Sequence, residues 1–312
     1  MSPTGPRLML LDTASLYFRA FYGVPDTFKA PDGTPVNAVR GLLDFIATLS
    51  SGYHPDAIAA CWDDDWRPAW RVELLPSYKE HRVAEVRPGV DEEEAPDELG
   101  VQVPLIREVL ALLGISVVGA AAAEADDVIG TLATRWEGPV EVVTGDRDLF
   151  QLVDDDAGIR VLYTARGVGR HDKVDRAWVH EKYGVDPDRY VDFAVMRGDP
   201  SDGLPGVTGI GDKTAARLLK EFGDLDGILA AADDRRSSIT PRVRTNLQAG
   251  HDYVARGRKV VAVDREVECG EPGTVEALTL TPLDVDARAA VVAFGETWGL
   301  GGSVERVLSA LP

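Results

Sequence analysis

Val140–Asp146, VEVVTGD, is a short β-branched run that closes on an aspartate, and its reading decides the fold. Two other runs have the same form: Leu8–Asp12 (LMLLD) and Asp56–Asp63 (DAIAACWD). Each is short, aliphatic and ended by turn chemistry, which reads as a buried strand. In an open α/β sheet, ligands bind at the carboxyl ends of parallel strands. A sheet that sets one carboxylate after another along that edge repels itself unless a cation sits there. A divalent metal is the simplest such cation, and a strong acidic cluster points to more than one. The residues alone therefore lead to the expectation of a magnesium-type hydrolytic site.

The 312 residues suffice for one large domain or two ordinary ones, and an apolar fraction of 45% is that of a globular chain. No apolar run approaches the ~20 residues of a membrane helix, and the opening MSPTGPRLMLLD has no signal-peptide apolar region. Cys61 and Cys269 form no CxxC pair, and Cys61 falls in a core strand as an inert thiol. A reducing, cytoplasmic compartment without membrane attachment is expected. The formal charge of −19 argues against nucleic acid only if it is spread evenly. It is not. Acids gather in the strand-end set and in Asp91–Glu98 (DEEEAPDE), while Arg235, Arg236, Arg242, Arg244, Arg256, Arg258 and Lys259 gather later.

Residues 7–195 alternate strand-like runs with helical patterns, the mark of βαβ units. Helices are predicted over Val36–Ser50, Val103–Leu113 and Asp126–Trp136, with a short one over Asp148–Val153. Trp66–Glu98 breaks the alternation and is long for a connection, so it reads as a functional loop or lid. From about Asp199 the texture changes to a glycine hairpin between helices. The predicted division is an α/β domain over 1–195 and a helical region over 196–312.

Three constellations carry chemistry. The acidic one comprises Asp12, Asp63 or Asp64, Asp146 and Asp148, with Glu124, Asp126 and Asp127 (EADD) at a helix start and Asp199 and Asp202 (GDPSD) later. Capping alone explains EADD, but surface acids have no reason to recur at successive ends of one sheet edge. The second is basic and aromatic: Arg71, Tyr78, Lys79 and Arg82 in WRVELLPSYKEHR. Arg and Lys clamp phosphate and Tyr stacks on a base, although a solvated amphipathic helix reads the same way. The third is GVTGIGDKTA, 206–215. Gly206, Gly209 and Gly211 allow a tight hairpin whose amides face outward at a helix N-terminus, with Lys213 and Thr214 as further phosphate contacts. The spacing is not that of a Walker loop.

Taken in order, Asp12 with YFRAF (17–21), YKEHR (78–82), EADD (124–127), TGDRDL (144–149), GDPSDGLPGV (198–207) and GIGDKTA (209–215) resemble the structure-specific 5′-nucleases, or flap endonucleases, in their bacterial stand-alone form. These are related to the 5′-nuclease domain of DNA polymerase I. The resemblance runs from about Leu8 to about Leu308. It implies a PIN-like, Rossmann-like α/β sheet flanked by helices, with a C-terminal helix–hairpin–helix module. It further implies a two-metal 5′-3′ exonuclease and flap endonuclease using Mg²⁺ or Mn²⁺, with K⁺ at the helix–hairpin–helix. Its substrates would be DNA with 5′ flaps, 5′ ends or nicks, and RNA–DNA primers, in replication and repair. Asp12, Asp63, Glu124, Asp126, Asp127, Asp146 and Asp148 would ligate or support metal, completed by Asp199 and Asp202. Lys79 and Arg82 would contact the scissile phosphate and act with Asp12 and Asp146 in catalysis. Tyr78 would stack near terminal bases, Arg19 and Arg71 would lie near the DNA end, and Trp66–Glu98 would form an arch for a 5′ single strand.

Three features depart from the pattern. Asp63 is followed by Asp64 and Asp65, and Asp63 is preferred because it closes the strand, with Asp64 the alternative. The usual asparagine after the last acidic pair is Gly203. DEEEAPDE ends the arch region, where its charge either repels DNA or adds a cation site. Two rivals are a PIN-type ribonuclease and a non-catalytic binder of branched DNA. The hairpin and the later acidic pair argue against the first, and the complete acidic set with Lys79 argues against the second. An aspartyl-phosphate enzyme is disfavoured because Asp12 is followed by Thr-Ala-Ser.

Overall fold

The computed structural model describes residues 4–85 and 91–312. Eight strands are present among them: β1 (Leu8–Asp12), β2 (Ala57–Cys61), β3 (Val83–Glu85), β4 (Glu92–Glu93), β5 (Ser116–Val118), β6 (Val140–Thr144), β7 (Ile159–Tyr163) and β8 (Asp172–Val174). Six of them make one sheet in the order β5-β2-β1-β6-β7-β8, parallel except for β8. β3 and β4 form a separate antiparallel hairpin.

All residues of β1, β2 and β6 are buried. Helices cover both faces, so these strands read as continuous apolar runs instead of alternating. Leu8 and Leu10 face one core layer, and Met9 and Leu11 face the other. The strand order turns back at β1, which has β2 on one side and β6 on the other. The crevice beyond the carboxyl ends of β1 and β6 is thus the topological switch point, where such sheets bind ligands. Two strands stop short of their aspartates. β6 ends at Thr144 because the Asp146 amide donates to the Thr144 hydroxyl (2.8 Å) and the Gly145 amide to the Ser15 hydroxyl (3.0 Å). Asp63 and Asp146 therefore stand on loops just past the sheet.

The helices fall close to their predicted positions, at Asn37–Tyr53, Val103–Leu112 and Ala125–Arg135, and Asp148–Leu152 is a 3₁₀ turn. The Trp66–Glu98 stretch is more structured than a loop. It holds a helix (Ala69–Leu74), a 3₁₀ turn (Glu80–Arg82) and the β3–β4 hairpin. Residues 86–90 of the expected arch lie outside the described residues. The later part is helical, through Asp212–Phe222, Leu225–Asp233, Pro241–Ala249 and His251–Val261. The last two helices, Val285–Thr297 and Gly302–Ala310, return to the first half. Their Val291, Phe294, Val304 and Val307 join the Met9 layer, and Arg306 forks onto Asp44 at 2.9 and 3.0 Å. Among the described residues no helix is long and apolar enough to cross a membrane.

Helix Thr13–Gly23, which starts directly from Asp12, is held against helix Asn37–Tyr53 at Gly41. A Cβ on Gly41 would lie 2.6 Å from the Ala20 Cβ. Gly41→Leu is expected to overpack this contact at a cost of about 1–3 kcal/mol. Urea denaturation checks it: the midpoint should fall with the slope unchanged, and an unmoved midpoint would mean that the two helices are not in close contact.

Candidate active site

Asp12 is both the end of β1 and the cap of the next helix. One oxygen accepts from the Ser15 amide (3.2 Å) and the other from the Thr144 hydroxyl (2.6 Å). Asp63 is fixed from the neighbouring strand by accepting from the Ala125 amide at 2.8 Å. Helix Ala125–Arg135 opens with a capping box, in which Glu124 takes the amide three residues on and Asp127 takes the Glu124 amide. Asp146 accepts from the Asp148 amide at 2.8 Å. Asp12, Asp63, Glu124, Asp126 and Asp146 all line one cavity of about 240 Å³, together with Lys79, Arg82 and Glu93. The strand-end expectation is met here: acids from β1, β2 and β6 share one wall with a helix start.

Lys79 and Arg82, from the Tyr78–Arg82 turn, line the same cavity. Lys79 Nζ donates to Glu124 Oε2 at 2.5 Å, and the Tyr78 hydroxyl donates to Glu124 Oε1 at 2.9 Å. Lys79 itself has φ +49°, an unusual backbone for lysine. Arg82 pairs with Asp202 at 2.8 Å. The electrostatics follow from crowding. Burial, followed by the neighbouring Asp63 and Asp146, pushes the Asp12 carboxyl up to about 7 against the lowering bonds from Thr144 and Ser15. Burial and then Asp146 hold Asp126 and Asp148 well above the usual carboxylate range. Burial alone would lower Lys79, but Glu124, Tyr78, Asp202 and Asp63 together outweigh it and hold the ammonium well above the usual lysine range.

Several predicted site residues have other positions. Tyr78 is 5% exposed, with its ring in the core and its hydroxyl on Glu124, so it has no free face for a base to stack on. Arg71 is buried too. It grips Asp127 with two bonds of 2.7 Å and lies 3.3 Å from Glu124, so its guanidinium is spent inside the protein. Asp127 is fully engaged by Arg71, the Glu124 amide and the Asp264 amide (2.8 Å), so it supports the wall without facing the cavity. Asp64 points to Arg107 (3.4 Å) and does not line the cavity, whereas Asp63 does. Arg19 lies beside Gly145, off the cavity, with its Nε buried and unbonded.

Asp148, Asp199 and Asp202 form a second acidic group next to Asp146. Asp199 is already held by Arg147 (2.8 Å), Arg197 (3.3 Å) and Ser201. Burial alone would raise its carboxyl, and these partners more than reverse that, leaving it below the usual range. One oxygen of Asp148 is buried with no partner among the described residues. Gly203 has φ +70°, and a Cβ there would meet the Ser77 carbonyl oxygen at 1.9 Å. The turn after the acidic pair thus rests directly on the Lys79 turn, and an asparagine has no room.

In the hairpin, Gly206 departs from expectation. Its amide donates inward to the Tyr253 hydroxyl (3.0 Å), and a Cβ would strike the Arg197 carbonyl. Gly209 (φ +74°) and Gly211 are exposed beside exposed Lys213, with Thr214 half-buried. Of the later basic residues, Arg244 bonds the Ala231, Ala232 and Asp234 carbonyls, and Arg258 pairs with Asp192 and Asp226. Arg235, Arg236, Arg242, Arg256 and Lys259 are exposed. Glu93 is a cavity residue that the motifs did not single out. It returns to the site on β4, and no spacing in the acidic run marks it.

The cavity's donors are almost all carboxylate oxygens, with neither thiolate nor imidazole, which fits a hard divalent ion. The buried unpaired Asp148 oxygen and the mutual repulsion of the acids also fit a cation. Among the described residues no three acids, imidazoles or thiolates already converge as a chelate.

Two family models match the chain in succession: the 5′-3′ exonuclease N-terminal resolvase-like domain over 7–184, and the 5′-3′ exonuclease C-terminal SAM fold over 185–286. A 5′-3′ exonuclease of Streptomyces coelicolor is 60% identical over 304 residues, spanning 97% of this chain and 99% of that one. A 5′-3′ exonuclease of Mycobacterium tuberculosis is 46% identical, spanning 97% of each chain. Among solved structures, bacteriophage T5 flap endonuclease, in a pseudo-enzyme–product complex with DNA and metal ions, superposes with a TM-score of 0.62. It is 19% identical over 97% of this chain and 98% of that one, a likeness of fold.

The raised Asp12 carboxyl sets a pH dependence. Between the ordinary 3.8 and about 7, the folded state keeps a proton that the unfolded chain releases. Stability from this group is therefore full below the lower value and is lost as pH rises through the upper one. In chelator-treated protein, Tm is expected to fall across that window, and Asp12→Asn, which keeps an acceptor for Thr144, should flatten the decline. Calorimetry giving the same decline in the variant would remove Asp12 as its source.

Proposed function

The chain belongs to the 5′-3′ exonuclease family, and from that premise we propose that it hydrolyses phosphodiesters at 5′ ends and 5′ flaps of DNA by two-metal chemistry. The observation that carries this reading is the single cavity in which Asp12, Asp63, Glu124, Asp126 and Asp146 face Lys79 and Arg82. Asp12, Asp63, Asp126 and Asp146 would hold one or two Mg²⁺ or Mn²⁺ ions, with Asp148, Asp199 and Asp202 serving a neighbouring position. Ions so held supply an activated water and neutralise charge on the reacting phosphate.

The chain's own residues do the rest. Lys79 and Arg82 would present cations to the phosphate beside the acids, where negative charge develops. Glu124 keeps Lys79 protonated and aimed, and Tyr78 and Arg71 keep Glu124 in place. Burial of this network excludes water and strengthens each charge. The exposed Gly209–Lys213 corner, with amides at the start of helix Asp212–Phe222, suits the phosphates of a duplex and a K⁺ ion beside them. RNA–DNA primers and nicked DNA at the nucleoid are the substrates this reading extends to, with the protein acting as a monomer.

A 5′-labelled DNA flap incubated with EDTA, Mg²⁺ or Mn²⁺ tests the reading. Cutting near the junction is expected only with metal. Asp146→Ala should abolish it, and Lys79→Ala should slow it by about 10²–10³. Tight flap binding without cutting under any metal would point instead to a non-catalytic binder, and cutting of single-stranded RNA alone to a PIN-type ribonuclease. For the hairpin, Gly209→Val should weaken duplex binding and lower the dependence of log K on log salt. An unchanged slope would mean that the hairpin makes no phosphate contact.

A further inference from the structure

Arg67 belongs to none of the motifs above and does not line the cavity, yet its guanidinium has three acceptors. Nε donates to the Tyr78 carbonyl (2.7 Å), Nη2 to the Pro76 carbonyl (3.1 Å) and Nη1 to the Asp91 carboxylate (2.5 Å). The two side chains are 9% and 16% exposed. The adjoining residue adds to the same knot. The Trp66 indole donates to the Asp91 carbonyl (2.7 Å), and Lys79 Nζ lies 3.4 Å from the Trp66 carbonyl.

The carbonyls that Arg67 takes come from the residue directly before Lys79 and from Pro76. Lys79 stands in the left-handed region, which a non-glycine residue rarely adopts and which persists only where its surroundings over-determine it. An arginine fork is planar and pre-organised, so it fixes three acceptors with little further loss of freedom. Asp91 is also the first residue of the acidic run, and its carboxylate is spent on this knot.

We propose that Arg67 and Asp91 form a latch that positions Lys79: the Arg67 fork clamps the turn entering Lys79, and Asp91 holds the fork while tying the strand β4 segment to the wall. Arg67 is a positioning residue, acting through Lys79. The inference rests on the reading of Lys79 as the phosphate-side cation.

Two measurements on the full chain test it. The first is reductive dimethylation of the free protein read by mass spectrometry, which reports each of its seven lysines separately. In Arg67→Ala and in Asp91→Ala, Lys79 should label faster while the other six stay as in the wild type. The second is single-turnover flap cleavage in Mg²⁺ beside flap affinity in Ca²⁺. The cleavage rate should fall by about 10–10² with the affinity unchanged, as for a misplaced reacting group. Unchanged Lys79 labelling in both variants overturns the latch, whatever happens to activity. If Arg67→Ala loosens all lysines together, Asp91→Ala decides: selective exposure of Lys79 supports the latch, and none overturns it. A wild-type protein that cuts no flap would defeat the proposed function, while the labelling result would still judge the latch.

Discussion

Glu124 accepts from Lys79 and Tyr78 and lies against Arg71, and the wall of the cavity is assembled around that one carboxylate. A buried ion network is costly unless every member is paired. Here the pairing is nearly complete, because Arg71 is also shared with Asp127 and with the Val260 carbonyl. Helix Ala125–Arg135, the Tyr78–Arg82 turn and helix His251–Val261 are therefore joined at one point. Loss of any partner would leave a buried charge unpaired, which is far more harmful than loss of a surface pair.

The same network separates two kinds of acid that look alike in the sequence. Asp127 and Glu124 have adjacent roles at a helix start, but Asp127 has both oxygens occupied by protein donors. Asp126 and Asp148 are buried beside other carboxylates, with one Asp148 oxygen unpartnered among the described residues, and burial and that crowding raise their carboxyls. The under-satisfied acids, not the acids in general, are the ones that a cation would relieve.

Much of the fold was legible because buried parallel strands and amphipathic helices leave plain periodicities. The strand runs at Leu8 and Val140 and the helices at Asn37 and Val103 needed only that. The acidic wall was legible for a related reason: a strand end is a place in the sequence. The direction a side chain faces is not. Tyr78 and Arg71 have the residue types of a DNA contact, but they point into the core, and only the tertiary position of Glu124 decides that. Gly206 misled in the same way, since a glycine that relieves a clash with the Arg197 carbonyl looks like one that opens an anion site. Glu93 left no mark because a two-residue strand is too short to carry a period. Arg67 left none because two of its partners are carbonyls, which every residue has.

Gly203 has a wider bearing than the substitution it forbids. Through it the Asp199–Leu204 turn sits flush on Ser77, whose hydroxyl donates to the Gly203 carbonyl at 2.8 Å, while the Lys79 amide donates to the Asp202 carbonyl at 3.1 Å. The same turn leads within a few residues into the exposed Gly209 corner. The corner and the cavity are thus joined by a short run of main chain that is anchored on the Lys79 turn. On the proposed function such a run would act as a caliper: a duplex held at the corner would be presented to the cavity at a set span, and the point of scission would be measured along the backbone.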